Sequence, residues 1–293
     1  MLGLDGSTHV VRPAAREAAR EAAHEATRVS RRLLQTRYGT VHATLAGEGG
    51  TPLVLLHMSP LSSRMFDRVL PLLAADRLVV CPDRIGFGDS DAPPHALTVP
   101  EIAEATLDAV DALGIAVFDV AGIHTGGCEA IELAAATAPG RVRRAAAIGL
   151  VVLTPEECAR HRGAIVPPQP AADGSHLRWY WDYWLMVQRL RAGAACPDLA
   201  VVAARVLDHL RAGAAAMATY NAVFDYDTAA QLPLVRCPLL VLAPHDEFHA
   251  ASLRAQPLLP PGARLVELPD VDYEAFEVAP GRLADELLRF LKA

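Results

Sequence analysis

Residues 116–138, AVFDVAGIHTGGCEAIELAAATA, limit the fold of this chain more than any other stretch. A short apolar run enters Gly122-Ile123-His124-Thr125-Gly126-Gly127, and a segment rich in Ala, Glu and Leu leaves it. Strand, tight glycine turn and helix together hold one strained residue up at the top of a sheet. The glycines two before and two after that residue are needed because strand and helix crowd it from both sides. In the common G-x-S-x-G form of this turn the raised residue is serine. Here it is His124.

The chain has 293 residues, enough for one large α/β domain with an insertion. It is 52% hydrophobic and 21% charged, the balance of a soluble protein with a large core. No apolar run reaches the ~18–20 residues of a membrane span. The 34 acidic and 27 basic residues leave a net charge of −7, which gives no electrostatic case for nucleic acid or an anionic membrane. Cys81, Cys128, Cys158, Cys196 and Cys237 form no C-x-x-C pair and read as reduced thiols of a cytoplasmic protein. Residues 13–27, PAAREAAREAAHEAT, read as a helix whose Glu residues argue against a transit peptide. That helix is either a solvated arm or one that packs on the core or on a second copy of the chain, as in a homodimer.

From residue 29 the pattern is strand-like. Residues 33–36 and 41–45 bracket a hairpin turn at 38–40. Residues 52–57 (PLVLLH), 77–81 (RLVVC), 143–153 (RRAAAIGLVVL) and 238–243 (PLLVLA) carry apolar runs, as strands buried on both faces do. Residues 100–113 and 280–291 read as helices, and 263–268 as a last strand. Alternating strands and helices predict an α/β fold, a mostly parallel central sheet with helices on both faces. Between 154 and 232 the alternation stops and the chain looks helical, with one Pro/Gly interruption at 166–174. The expected organisation is a helical extension over 1–28, a core formed by 29–153 and 233–293, and an inserted helical cap over 154–232.

Five segments in order resemble the α/β-hydrolase superfamily, in the capped branch that includes epoxide hydrolases, haloalkane dehalogenases and C–C bond hydrolases. They are PLVLLHMSP (52–60), CPDRIGFGDSDAPP (81–94), VAGIHTGGCEA (120–130), PLLVLAPHDEF (238–248) and VELPDVDYEAFEVAP (266–280). The H-T-G elbow is similar to a bacterial sub-group without the usual serine. The resemblance implies the α/β-hydrolase fold, no cofactor and no metal, and a small-molecule substrate in a capped pocket. It places His124 at the nucleophile position, Asp246 (with Glu247 beside it) at the acid position, and Tyr273 where the family has its histidine. No histidine follows His249, so a Ser-His-Asp acyl-enzyme route is disfavoured. The family's oxyanion donors fall on the backbone N–H groups of Met58 and Thr125, with Met58 as a bulky wall above His124.

An imidazole at that place suits acid–base chemistry at neutral pH, with Asp246 orienting it and Tyr273 offering a phenol. The expected reaction is of lyase, isomerase, decarboxylase or cyclase type on a small, largely apolar molecule. The Ala-, Arg- and Leu-heavy composition, that of a GC-rich bacterial genome, associates it with specialised metabolism. Two alternatives stand beside this: a hydrolase of an ester, lactone or epoxide acting through a His124-activated water, and a non-catalytic small-molecule binder. Each site residue also has a plainer role: His124 as filler of a dead site, Asp246 as a helix cap, Tyr273 as a pocket wall. Thr125 is a less favoured, displaced nucleophile. His57 and Ser59 at the strand end, with Tyr180, Trp181 and Trp184 in the insertion, are the expected substrate contacts. Asp83 and Asp89 look structural. His245 and His249 stand four apart, a spacing too common to indicate a metal by itself.

Overall fold

Runs such as LVLL and LLVLAP carry no charge and are satisfied inside a sheet covered on both faces. The computed structural model describes residues 28–190, 198–272 and 275–292. Eight strands form one sheet: β1 (Val29–Thr36), β2 (Gly39–Ala46), β3 (Leu53–Leu56), β4 (Val79–Pro82), β5 (Phe118–Ile123), β6 (Val142–Ile148), β7 (Leu239–Pro244) and β8 (Arg264–Leu268). Their spatial order is β1-β2-β4-β3-β5-β6-β7-β8. The β1–β2 hairpin and the β2–β4 pair are antiparallel, and every later pair is parallel. The chain runs outward from β3 to β4, then returns to lay β5 beside β3. That reversal opens a crevice at the C-terminal ends of the strands, and the β5 turn lies there.

Side chains alternate between the two faces with the strand period of two. Val54, Leu56, Val120, Ala145 and Val241 join one core, with Ile102, Ala109, Ile131 and Leu133 from the helices Val99–Ala112 and Thr125–Ala136. Leu53, Leu55, Ala121, Ile123, Ala146 and Leu242 join the other, against Leu283, Leu287 and Phe290 of the closing helix Pro280–Lys292. Helix Val99–Ala112 starts on a capping box. Thr98 accepts from Glu101 N–H, and the Glu101 carboxylate accepts from Thr98 N–H at 2.8 Å.

Between β6 and β7 the regular elements are helices: Pro155–His161, Ser175–Leu190, Leu199–Asp225 and Thr228–Gln231. The longest breaks at Gly213, whose φ of 51° and ψ of −128° are not helical. Its first half is tied to the core. Arg205 pairs with Glu277 at 2.6 Å, the Ser62 hydroxyl donates to Asp208 at 2.8 Å, and Arg211 meets Asp89 at 2.7 Å.

The strand expected over 143–153 ends at Ile148, because Gly149 (φ +59°) turns the chain off the sheet. The expected helix over 13–27, and the subunit contact proposed for it, lie outside the described residues. No described helix is long and apolar enough to cross a membrane. The four described cysteines are free thiols.

Candidate active site

His124 is the one described non-glycine residue with positive φ (φ 49°, ψ −109°). Its neighbours impose this. A β-carbon on Gly122 would meet the Gly126 carbonyl oxygen at 2.0 Å, and one on Gly126 would meet the Leu56 carbonyl oxygen at 2.2 Å. Gly127 meets nothing closer than 3.4 Å, so the turn's shape rests on the first two glycines. A non-glycine residue held this way stores about 1–3 kcal/mol, sustained only by its surroundings.

The raised imidazole pairs with a carboxylate. His124 Nε2 lies 2.7 Å from Asp246 Oδ2, with the two side chains 7% and 1% exposed. The other oxygen of Asp246 accepts the Phe248 N–H at 2.9 Å, so one carboxylate both shapes the turn before helix His249–Leu253 and holds the imidazole. Phe248 sets its ring edge-on to His124, centroids 5.0 Å apart. Gly149 closes the back of the pair. A β-carbon there would fall 2.5 Å from His124 Cδ2, 2.6 Å from Nε2 and 3.0 Å from Asp246 Oδ2.

A cavity of about 350 Å³ opens between the inserted helices and the core. The core contributes Ser59, Pro60, His245, Asp246, Glu247 and Asp272 to its wall. The inserted helices contribute His161, Tyr183, Met186, His209 and Tyr220, among others. Burial, with Glu247 nearby, pushes the Tyr183 phenol up to about 12 and raises Tyr220 as well. Both phenols are therefore neutral donors at physiological pH.

The alpha/beta hydrolase fold family matches residues 51–170. The dihydrolipoyllysine-residue acetyltransferase component of the acetoin cleaving system of Pseudomonas putida is 39% identical over 100 residues, 33% of this chain and 26% of that protein. Fluoroacetate dehalogenase of a Burkholderia species is 35% identical over 102 residues, 33% of each chain. The chain thus matches only about a quarter to a third of the length of these relatives. Epoxide hydrolase A of Mycobacterium thermoresistibile superposes with a TM-score of 0.73 at 20% identity, over 91% of this chain and 99% of that one. The chain has the α/β-hydrolase fold.

Within that fold, His124 and Asp246 come together; Asp246 and Glu247 stand on the cavity wall, and His124 lies behind Asp246, outside the residues that line it. Tyr273 lies outside the described residues. Thr125 sits at the turn, its hydroxyl oxygen 3.4 Å from the Ser59 N–H that donates to it. Ser59 reaches the cavity, held by Arg84 Nη1 at 3.3 Å.

Five expected site residues stand away from the cavity wall. Met58 packs into the core beside Leu61, Met65 and Trp184 and is not among the residues on the cavity wall. His57 is wholly buried. Its Nδ1–H donates to the Met58 carbonyl at 2.9 Å, its Nε2 accepts the Arg84 N–H at 2.9 Å, and burial and Arg84 push it down to about 3. It is a neutral structural bridge with no nitrogen to offer a substrate. Tyr180 and Trp184, one helical turn apart, point inward, and Trp184 joins the core. Trp181 packs against that core as well. Tyr183 and Met186 face the cavity instead.

His245 and His249 pack ring against ring, 4.5 Å between centroids. His249 bonds the Pro244 carbonyl and approaches Glu267. Asp83 is structural: its carboxylate accepts from Ser63 N–H, Asp89 N–H and the His42 ring. Against the cost of burial, these bonds hold it below the usual carboxylate range.

Sequence reasoning missed Gly149, Tyr220, His209 and Asp272. Gly149 breaks the apolar run AAAIGLVV, a signal for a turn. His209 and Tyr220 lie in an Ala-rich helix with no local motif.

Proposed function

We propose that this chain is an enzyme that carries out non-covalent acid–base chemistry on a small, largely apolar molecule, with His124 and Asp246 as its working pair. The observation that carries this is the 2.7 Å contact between an imidazole on the strained turn and a carboxylate on the cavity wall. The imidazole, held by Asp246, takes a proton from the substrate and returns it elsewhere. Asp246 stabilises the imidazolium formed between the two steps. The serine that would form an acyl-enzyme has no counterpart at the turn, so the chemistry is proton transfer: isomerisation, elimination, decarboxylation or ring closure. The phenols of Tyr183 and Tyr220 are the donors nearest in kind to what a developing enolate needs.

A second reading routes the same pair through water. His124 deprotonates a water that attacks an ester, lactone or epoxide. The similarity to a fluoroacetate dehalogenase and to an epoxide hydrolase favours it.

The test is a metabolite comparison in the native host among wild type, a gene deletion and a chromosomal His124→Ala strain with matched protein level. Accumulation of one precursor in both mutants is expected. Its mass difference from the product separates water addition from isomerisation or carbon dioxide loss. A change in the deletion alone removes His124 from the chemistry and leaves a binding role.

A further inference from the structure

His209 stands in the first half of the long inserted helix, 2% exposed, on the wall of the cavity that Asp246 also lines. Rings surround it: Tyr180 at 4.8 Å, Tyr183 at 6.0 Å, Trp184 at 6.1 Å and Trp179 at 6.3 Å between centroids. Among the described residues neither of its ring nitrogens has a hydrogen-bond partner. A buried polar group without a partner is costly, and its presence on a cavity wall needs an account. Burial pushes this imidazole down to about 4, so it is neutral and carries one donor and one acceptor.

The charge of the cavity narrows what can meet it. Three carboxylates, Asp246, Glu247 and Asp272, lie on the wall, and no described lining residue is an arginine or lysine. An anionic substrate would meet like charge with no fixed cation to hold it. A hydroxyl is the uncharged group that suits a neutral imidazole in either tautomer, since it can accept from N–H or donate to the bare nitrogen. We propose that His209 is a specificity-determining residue that binds the hydroxyl of an uncharged substrate (an alcohol, phenol or enol) whose apolar body fills the rest of the cavity. The assignment rests on this cavity being the substrate cavity of the proposed reaction, and it names the substrate class.

The test is calorimetric titration of the whole chain with four probes of one shape: 2-naphthol, naphthalene, 2-naphthoate and 2-naphthylmethylammonium. Wild type binds 2-naphthol at least about tenfold tighter than naphthalene, which is about 1.4 kcal/mol, and tighter than either ion. His209→Phe binds naphthalene as well as wild type does and loses the preference for naphthol. His209→Gln, which keeps a donor and an acceptor, retains at least about a threefold preference. Circular dichroism confirms that each variant is folded.

Failure of wild type to bind 2-naphthol overturns the proposal. So does equal or tighter binding of naphthoate or of the ammonium, and so does an unchanged preference in His209→Phe. The titrations need no turnover, so this result and that of the His124→Ala strain are independent. A His209-dependent preference without a His124 phenotype keeps the recognition role and removes the acid–base chemistry, and the reverse pattern does the opposite.

Discussion

Replacing Gly149 by alanine is a direct test of how the His124–Asp246 pair is held. The added carbon would lie 2.5 Å from His124 Cδ2 and 2.6 Å from Nε2. Non-bonded carbons rest at about 3.5–4.0 Å, so roughly 1 Å of overlap must be relieved. The backbone cannot yield easily, since the Gly149 N–H donates to the Leu242 carbonyl of β7 at 2.9 Å, where the chain leaves β6. The imidazole moves instead, and a shift of that size turns a 2.7 Å hydrogen bond into none. Alanine at φ +59° costs about 1 kcal/mol, and losing a hydrogen bond to a charged group costs about 1.5–3 kcal/mol. The stiffer unfolded chain returns about 0.4–1 kcal/mol. The net loss is about 1.5–3.5 kcal/mol, and with an unfolding entropy of about 0.6 kcal/mol/K for 293 residues the melting temperature falls by roughly 2–6 °C.

Gly140→Ala is the control. Gly140 also has positive φ (+84°), but nothing lies within 4 Å of its added carbon, so only the backbone penalty applies. Thermal unfolding of both variants separates the two effects. Equal losses in Gly149→Ala and Gly140→Ala would refute the account of Gly149 as the wall behind the pair.

Once a substrate is known, His124→Ala should lower kcat by about 10²–10⁴, with a smaller change in KM; full turnover would exclude the role. Glu129→Gln should cost about 3–5 kcal/mol in urea unfolding, because it strands Arg84 in the core, where Nη2 lies 2.9 Å from Glu129 Oε2 and 2.8 Å from the His57 carbonyl. Near wild-type stability in that variant alone would contradict it. His209 bears on stability through pH. Its folded pKa lies below the unfolded value, so its share is fully present above about 6.5 and is lost as the pH falls toward about 4. His209→Phe should therefore flatten the slope of stability against pH in that window by up to about 1.4 kcal/mol per pH unit, and identical slopes would contradict a neutral buried imidazole.

Much of the sheet was legible because fully apolar runs have few alternatives, and the elbow because two glycines pressed against backbone oxygens leave one conformation. The side to which a helical residue points was not legible from composition. Tyr180, Trp184 and Tyr183 look equivalent in WYWDYW, yet only the last of the three faces the cavity, because rotation about the helix axis is set by what the helix packs against. His57 looked like a pocket residue because it ends a strand beside the elbow. The Met58 carbonyl and Arg84 N–H that claim its two nitrogens come from the following residue and from a loop 27 residues on. Gly149 was hidden for a different reason: its role is the space it leaves for two side chains distant in the sequence.

The ties between the long inserted helix and the core differ in how ionic strength reaches them. Arg211 and Asp89 are partly open to solvent, and so are Arg68 and Asp198. Counterions at physiological salt screen such exposed pairs over about 8 Å. Arg205 and Glu277 lie almost wholly inside, where salt does not follow. Added salt therefore loosens the margin of this contact while its centre stays fastened, and the cavity beneath keeps its shape across media in which the surrounding charges have ceased to matter.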